Sequence, residues 1–204
     1  MARTRSDLPR MQKQSLTRAP LARADAAAPQ VVERPAASKK PPRMMRHNEL
    51  VDRVRQHVAP KKARTEPWLQ VMREAHELGM GTTATMMFGS VETLEERVAH
   101  MLRARALQDE TGGFQAFIPL AFHPDNNQMR KLPAPTASDS LRVHAVARLM
   151  CDNIPHVKAF WIATGVEVAQ TSLWFGVDDL DGTVQEEKIY HMAGARTPEA
   201  MTTR

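Results

Sequence analysis

Three clusters of polar residues each follow directly on an apolar run. Gly89-Ser90-Val91-Glu92 follows TTATMMF, and His123-Pro124-Asp125-Asn126-Asn127 follows FQAFIPLAF. The third runs from Asp181 to Glu187, DGTVQEE, after VDDL. A surface turn needs one or two such residues. Carboxylate, imidazole, amide and hydroxyl groups crowded at a chain exit supply the fixed donors and acceptors that a small polar ligand requires. Thr85, Gly89 and Glu92 are the candidates in the first stretch. His123 and Asn126 are those of the second, and Asp181, Thr183 and Glu186 those of the third. Each has a plain structural counterpart. Gly89 can simply end a strand, Glu92 can be a first-turn acid favoured by a helix dipole, and a histidine at a turn can be a packing residue. Asp125 is expected to face solvent, and Glu187 reads equally as an exposed first-turn acid and as a contact.

Other spacings suggest chemistry that does not survive inspection. DDLDG resembles the start of a calcium loop, but counting from Asp179 the twelfth position is Tyr190, where a bidentate acid is required. HELGM, residues 76–80, has Met80 where a zinc-protease helix needs its second histidine. The one cysteine, Cys151, excludes an intramolecular disulfide and any multi-cysteine metal site within the chain, and is expected to pack rather than react. No metal ligands are assigned.

The elements that must position these clusters alternate. A helical face runs through Leu50, Val51, Val54 and Val58, and a second helix starts with a cap at Thr65 and closes at Gly79. TTATMMF reads as a strand. Thr93-x-x-Glu96 is a capping box before a helix with Leu94, Val98, Met101, Leu102 and Leu107 on its apolar face, stopped by Gly112-Gly113. FQAFIPLAF is the next strand, and a helix capped by Ser138 follows. VKAFWIA is the third strand, VEVAQTSLWF a short helix closed by Gly176, VDDL a short fourth strand, and VQEEKIYHMAG a final helix. Strands apolar on both faces and alternating with helices indicate an α/β fold with a parallel sheet. Ligands of such folds bind at the carboxyl ends of the strands, where the three clusters stand. Four strand–helix units are about half of a (β/α)₈ barrel, which takes about 250 residues.

Charge divides the chain differently. Residues 1–47 hold 11 Lys/Arg against 3 Asp/Glu and 6 of the 14 prolines, whereas residues 48–204 hold 17 against 20. The first segment cannot bury enough apolar surface to offset its conformational entropy and is expected to be a disordered basic arm. It lacks aromatic residues that could stack on bases, so nucleic-acid binding is not expected. No run of 18 apolar residues offers a membrane span, and no apolar core marks a signal peptide, so a cytoplasmic location is expected.

From about Glu49 to Thr202 the sequence resembles the menaquinone-pathway radical S-adenosylmethionine (SAM) enzymes. These comprise the aminofutalosine synthases and their sister dehypoxanthine futalosine cyclases. The resemblance rests on TATMMFGSVETLEERVAHMLRARALQDETGGFQAFIPLAFHPDN, ARLMCDNIPHVKAFW and DDLDGTVQEEKIYHMAGA, with FIPLAFHP and the last stretch on the synthase side. It implies that residues 48–204 are the C-terminal half of a radical SAM barrel. It further implies SAM and a [4Fe-4S] cluster as cofactors, and addition of a SAM-derived radical to an enolpyruvyl benzoate. Thr85, Gly89 and Glu92 would lie beside SAM. His123, Asn126, Asp181, Thr183 and Glu186 would meet the substrate, while Asn127 stands where the family usually has threonine. The family's Cys-x3-Cys-x2-Cys loop is absent from this chain, and a cluster needs its thiolates. The chain alone is therefore expected to be inactive: a complementary N-terminal half, self-association, or a non-catalytic half-barrel remain open. Residues 1–47 do not resemble the family's N-terminal half and read like translation in a wrong frame.

Overall fold

In a computed structural model the described residues are 47–182, 184, 187–198 and 200. The arm expected over 1–47 lies outside them as far as residue 46. His47 begins the first helix, α1 (His47–Val58). There follow α2 (Thr65–Glu77), β1 (Thr82–Phe88), α3 (Leu94–Thr111), β2 (Phe114–Ala121) and α4 (Ala137–Met150). Then come β3 (His156–Ala159), α5 (Trp161–Thr164), α6 (Val166–Ser172) running into a 3₁₀ turn, β4 (Asp179–Leu180) and α7 (Ile189–Met192).

The four strands form one parallel sheet in the order β1-β2-β3-β4. Each strand neighbours the next in sequence, so crossovers of one hand put their helices on one face. That is the winding of a barrel segment rather than of a doubly wound sheet. Register carries the consequence to the side chains. Ala84, Met86 and Phe88 of β1 share a face with Phe117 of β2 and Val157 and Ala159 of β3, all at most 3% exposed. On the other face Thr85 pairs with Ile118 and Met87 with Leu120, and Lys158 pairs with Asp179. These residues are exposed or half-buried. The strands are thus covered on one face rather than on both.

Local boundaries follow from identifiable contacts. Thr93 and Glu96 form the expected capping box: the Glu96 carboxylate accepts from the Thr93 N–H at 2.7 Å. Gly112 ends α3 at φ 64°, a left-handed position that glycine adopts without steric cost. The buried side of α3, however, is Glu96, Ala99, Met101, Ala104, Leu107 and Gln108, while Leu94 is 68% exposed. The alanines let the helix approach the sheet closely. Glu96 tolerates burial because Arg53 of α1 donates to both its oxygens, at 3.0 and 2.8 Å.

Four other boundaries differ from expectation. Thr65 is the first helical residue of α2 rather than its cap, since both its N–H and its hydroxyl donate to Asp52 of α1, at 2.7 and 2.6 Å. Thr136, not Ser138, caps α4. Thr136-x-x-Asp139 is itself a reciprocal capping box, which starts the helix earlier. β3 stops at Ala159 because the chain turns to seat Trp161, whose indole N–H donates to the Asp181 and Gly182 carbonyls at 3.1 and 3.3 Å. The last helix shrinks to Ile189–Met192, its first N–H groups received by the Glu187 carboxylate.

Cys151 is fully buried at the end of α4, 3.9 Å from the Met101 carbonyl, and burial pushes its thiol up to about 11. Such a thiol is a packing group. Among the described residues no helix is long and apolar enough to cross a membrane.

Candidate functional site

A cleft of about 800 Å³ opens at the carboxyl ends of β1 and β2. Thr85 and Met87 on one strand and Leu120 on the other form its floor, α1 supplies an apolar wall through Val54 and Val58, and α7 closes the far side with Ile189 and Tyr190. The size suits an organic molecule rather than an ion.

Thr85 reaches the cleft because it lies on the uncovered face of an edge strand. Glu92 also lines the cleft, with 4% of its side chain exposed. It accepts hydrogen bonds from the N–H groups of Gly89 and Ser90, from the Ser90 hydroxyl at 2.8 Å and from Arg97 at 2.8 Å. Burial opposes its charge, but these donors outweigh it and hold the carboxyl below its ordinary value. All the donors belong to the loop or to α3, so Glu92 braces the strand exit. Gly89 has φ 88°, and a Cβ there would collide with the ring of Pro135. The space beside Gly89 is filled by this chain's own β2–α4 loop.

The second cluster and the final helix fold together. His123 lines the cleft, and its Nε2 donates to the Ala163 carbonyl at 2.8 Å. A carbonyl only accepts, so the proton sits on Nε2 and Nδ1 is the nitrogen left for a ligand. The ring meets Tyr190 edge-on at 5.4 Å, and Tyr190 meets Phe160 at 5.3 Å. Asn126 is exposed, takes φ 55°, and donates to the Met192 carbonyl at 3.3 Å. It fastens the turn to α7. Its neighbour Asn127 lines the cleft, with its amide donating to the His123 carbonyl at 2.6 Å and accepting from the Met129 N–H at 2.7 Å.

Asp181 lies at the end of β4 and not on the cleft wall. Lys158 sits 3.2 Å from Asp179 and 3.4 Å from Asp181. Burial raises the Asp181 carboxyl even so, with the lysine pulling the other way. Thr183 and Glu186 lie outside the described residues. The structure therefore brings Thr85, Glu92 and His123 to one cleft, and leaves Asn126 on the outer turn and Asp181 beyond the opposite edge strand, β4.

Sequence reasoning passed over two cleft residues. Tyr190 is the only tyrosine, and burial, then the nearby Glu187 charge, push its hydroxyl up to about 12. An aromatic residue with a polar tip, in the helix after a strand-end cluster, was the available signal. His100 of α3 also lines the cleft, and burial pulls its imidazole down to about 4. Its position on a helix far from any strand end gave no signal.

Residues 111–203 match the family described as the CofH/MqnC C-terminal region. The aminodeoxyfutalosine synthase of Thermus thermophilus is 54% identical over 159 residues, which cover 76% of this chain and 43% of that protein. The aminodeoxyfutalosine synthase of Streptomyces coelicolor is 44% identical, over 73% of this chain and 41% of that protein. The cyclic dehypoxanthine futalosine synthase of the same organism is 43% identical, over 72% and 37%. The chain spans about two fifths of the length of the curated relatives it matches. With its singly wound parallel sheet and a cleft at the strand ends, the chain carries the CofH/MqnC C-terminal region over residues 111–203 and is similar over about three quarters of its length to aminodeoxyfutalosine synthases.

Proposed function

We propose that residues 48–204 serve as the C-terminal half of the barrel of an aminodeoxyfutalosine synthase, binding part of SAM and its enolpyruvyl benzoate partner at the strand-end cleft. The observation that carries this reading is the 54% identity to a synthase over 159 residues, 76% of this chain. The cyclase, at 43%, is the second reading.

The donor set of this chain does not fit a [4Fe-4S] cluster. A cluster is held by several thiolates, and the one thiol here is buried and pushed up to about 11 by that burial. The thiolates of a cluster would have to come from another polypeptide segment. The exposed edge of β1 and the uncovered face bearing Thr85, Ile118 and Lys158 offer a place for further strands of a barrel.

The residues fit an organic ligand better. Thr85 offers a hydroxyl from the floor and His123 Nδ1 an acceptor from the rim, while Tyr190 and Met87 supply apolar contact. Glu92 and Asn126 shape the site by bracing its loops, whereas Asp181, off the cleft wall, takes no part in it. Thr183 and Glu186 enter as substrate contacts, on sequence grounds alone.

Complementation tests this. The full chain is mixed anaerobically with the N-terminal portion of the Thermus thermophilus relative after reconstitution with iron and sulfide. With dithionite supplying the electron and an enolpyruvyl benzoate present, methionine released from SAM together with an adenosyl adduct of the benzoate, formed only when both parts are present, is the expected result. No turnover from a mixture in which both parts are folded and the cluster is loaded would leave only the non-catalytic half-barrel.

A further inference from the structure

Behind the cleft, where α1, α2 and α3 meet, lies a second cavity of about 20 Å³, lined by Arg55, Thr65, Trp68, His100 and Arg103 among others. Arg55, Trp68 and His100 line the main cleft as well, so the two spaces share a wall. The smaller one has room for about one water molecule or monatomic ion.

Its chemistry is one-sided. Both terminal nitrogens of Arg103 are fully buried and have no hydrogen-bond partner. A guanidinium has donors and no acceptor, and burying it unpaired is unfavourable. The other cation, Arg55, directs two donors to the Ala63 carbonyl at 2.9 and 2.7 Å. His100 is held neutral by burial and by the charges of Arg55 and Arg103. Asp52 and Glu66 act on Arg103 only through space. The Asp52 carboxylate is already engaged by both donors of Thr65, and Glu66 is exposed.

We propose that this cavity is a binding site for a small monovalent anion, which accepts hydrogen bonds from Arg103 between the walls formed by Arg55 and His100. The anion is either a halide from solution or the carboxylate of a molecule lying in the main cleft. Neither a cluster nor SAM is required, so the proposal stands apart from the radical SAM reading.

Chloride-35 line broadening of the full chain, titrated with sodium chloride, is the test. Ionic strength is held with sodium sulfate, a dianion too large for the space. Saturable broadening is expected. Arg103→Met should weaken chloride binding about tenfold or more, the loss of charged hydrogen bonds. Arg103→Lys should retain part of the binding, and the exposed Arg130→Met should change nothing. Displacement by sodium acetate marks the site as one for carboxylates, and displacement by bromide alone marks it as a halide site. Crystals of the wild-type chain soaked in bromide should show an anomalous peak beside Arg103, a readout that survives if the variants do not fold. Absence of saturable broadening together with no such peak overturns the proposal, as does broadening that persists in folded Arg103→Met.

Discussion

At the scale of single residues, Glu92 shows how a group that looks catalytic can be mainly a brace. It sits in the cleft, yet Gly89, Ser90 and Arg97 take up its oxygens. Replacing it with glutamine removes the charge that these donors face. Glu92→Gln should therefore lower unfolding stability by about 1–3 kcal/mol in urea titrations near pH 7. Because the folded carboxyl lies below its ordinary value, its contribution is fully present above the unfolded value and is lost as pH falls through the folded one. The difference between wild type and variant should hold from neutrality and shrink below about pH 4. A difference that grew on acidification would contradict this assignment. The sequence showed that Glu92 stood at a strand exit. Which donors claimed it depended on the left-handed turn at Gly89, against which Pro135 of a distant loop packs.

At the scale of elements, caps and periodicity were legible where they act within a few residues, as at Thr93, Gly112 and Gly176. They misled where two local solutions compete or where a distant partner intervenes. Ser138 and Thr136 both can cap, and the reciprocal bond with Asp139 decides for Thr136. Thr136→Ala should lower stability by about 1 kcal/mol, and Ser138→Ala should stay within about 0.5 kcal/mol. Equal losses in thermal melts of the two variants would overturn the assignment. Thr65 and the apolar face of α3 misled for another reason. Asp52 and Arg53, on α1, reach across and change what Thr65 and Glu96 can do, and no periodicity along α2 or α3 encodes that.

At the scale of the whole molecule, the alternation of strand and helix conveyed the parallel sheet and its strand-end cleft. It did not convey which face would lie uncovered, because a barrel's inner face reads as apolar in sequence whether or not the facing strands are present. Consecutive strand order also means that each strand–helix unit rests chiefly on its sequence neighbours. Cys151 lies at one such junction, with its sulfur against Met101 of α3. That placement makes the chain's single thiol a clock for separation of adjacent units. A reagent cannot reach it while α3 and α4 stay together, so labelling must wait for an opening event. With Ellman's reagent at pH 8, the folded chain should react at least about a hundredfold more slowly than the chain in urea, the ratio reporting how rarely the α3–α4 seam parts. Comparable rates would place the thiol at the surface. If an added polypeptide completes the sheet, the same clock should slow further, since anything that binds only the closed form suppresses opening by mass action.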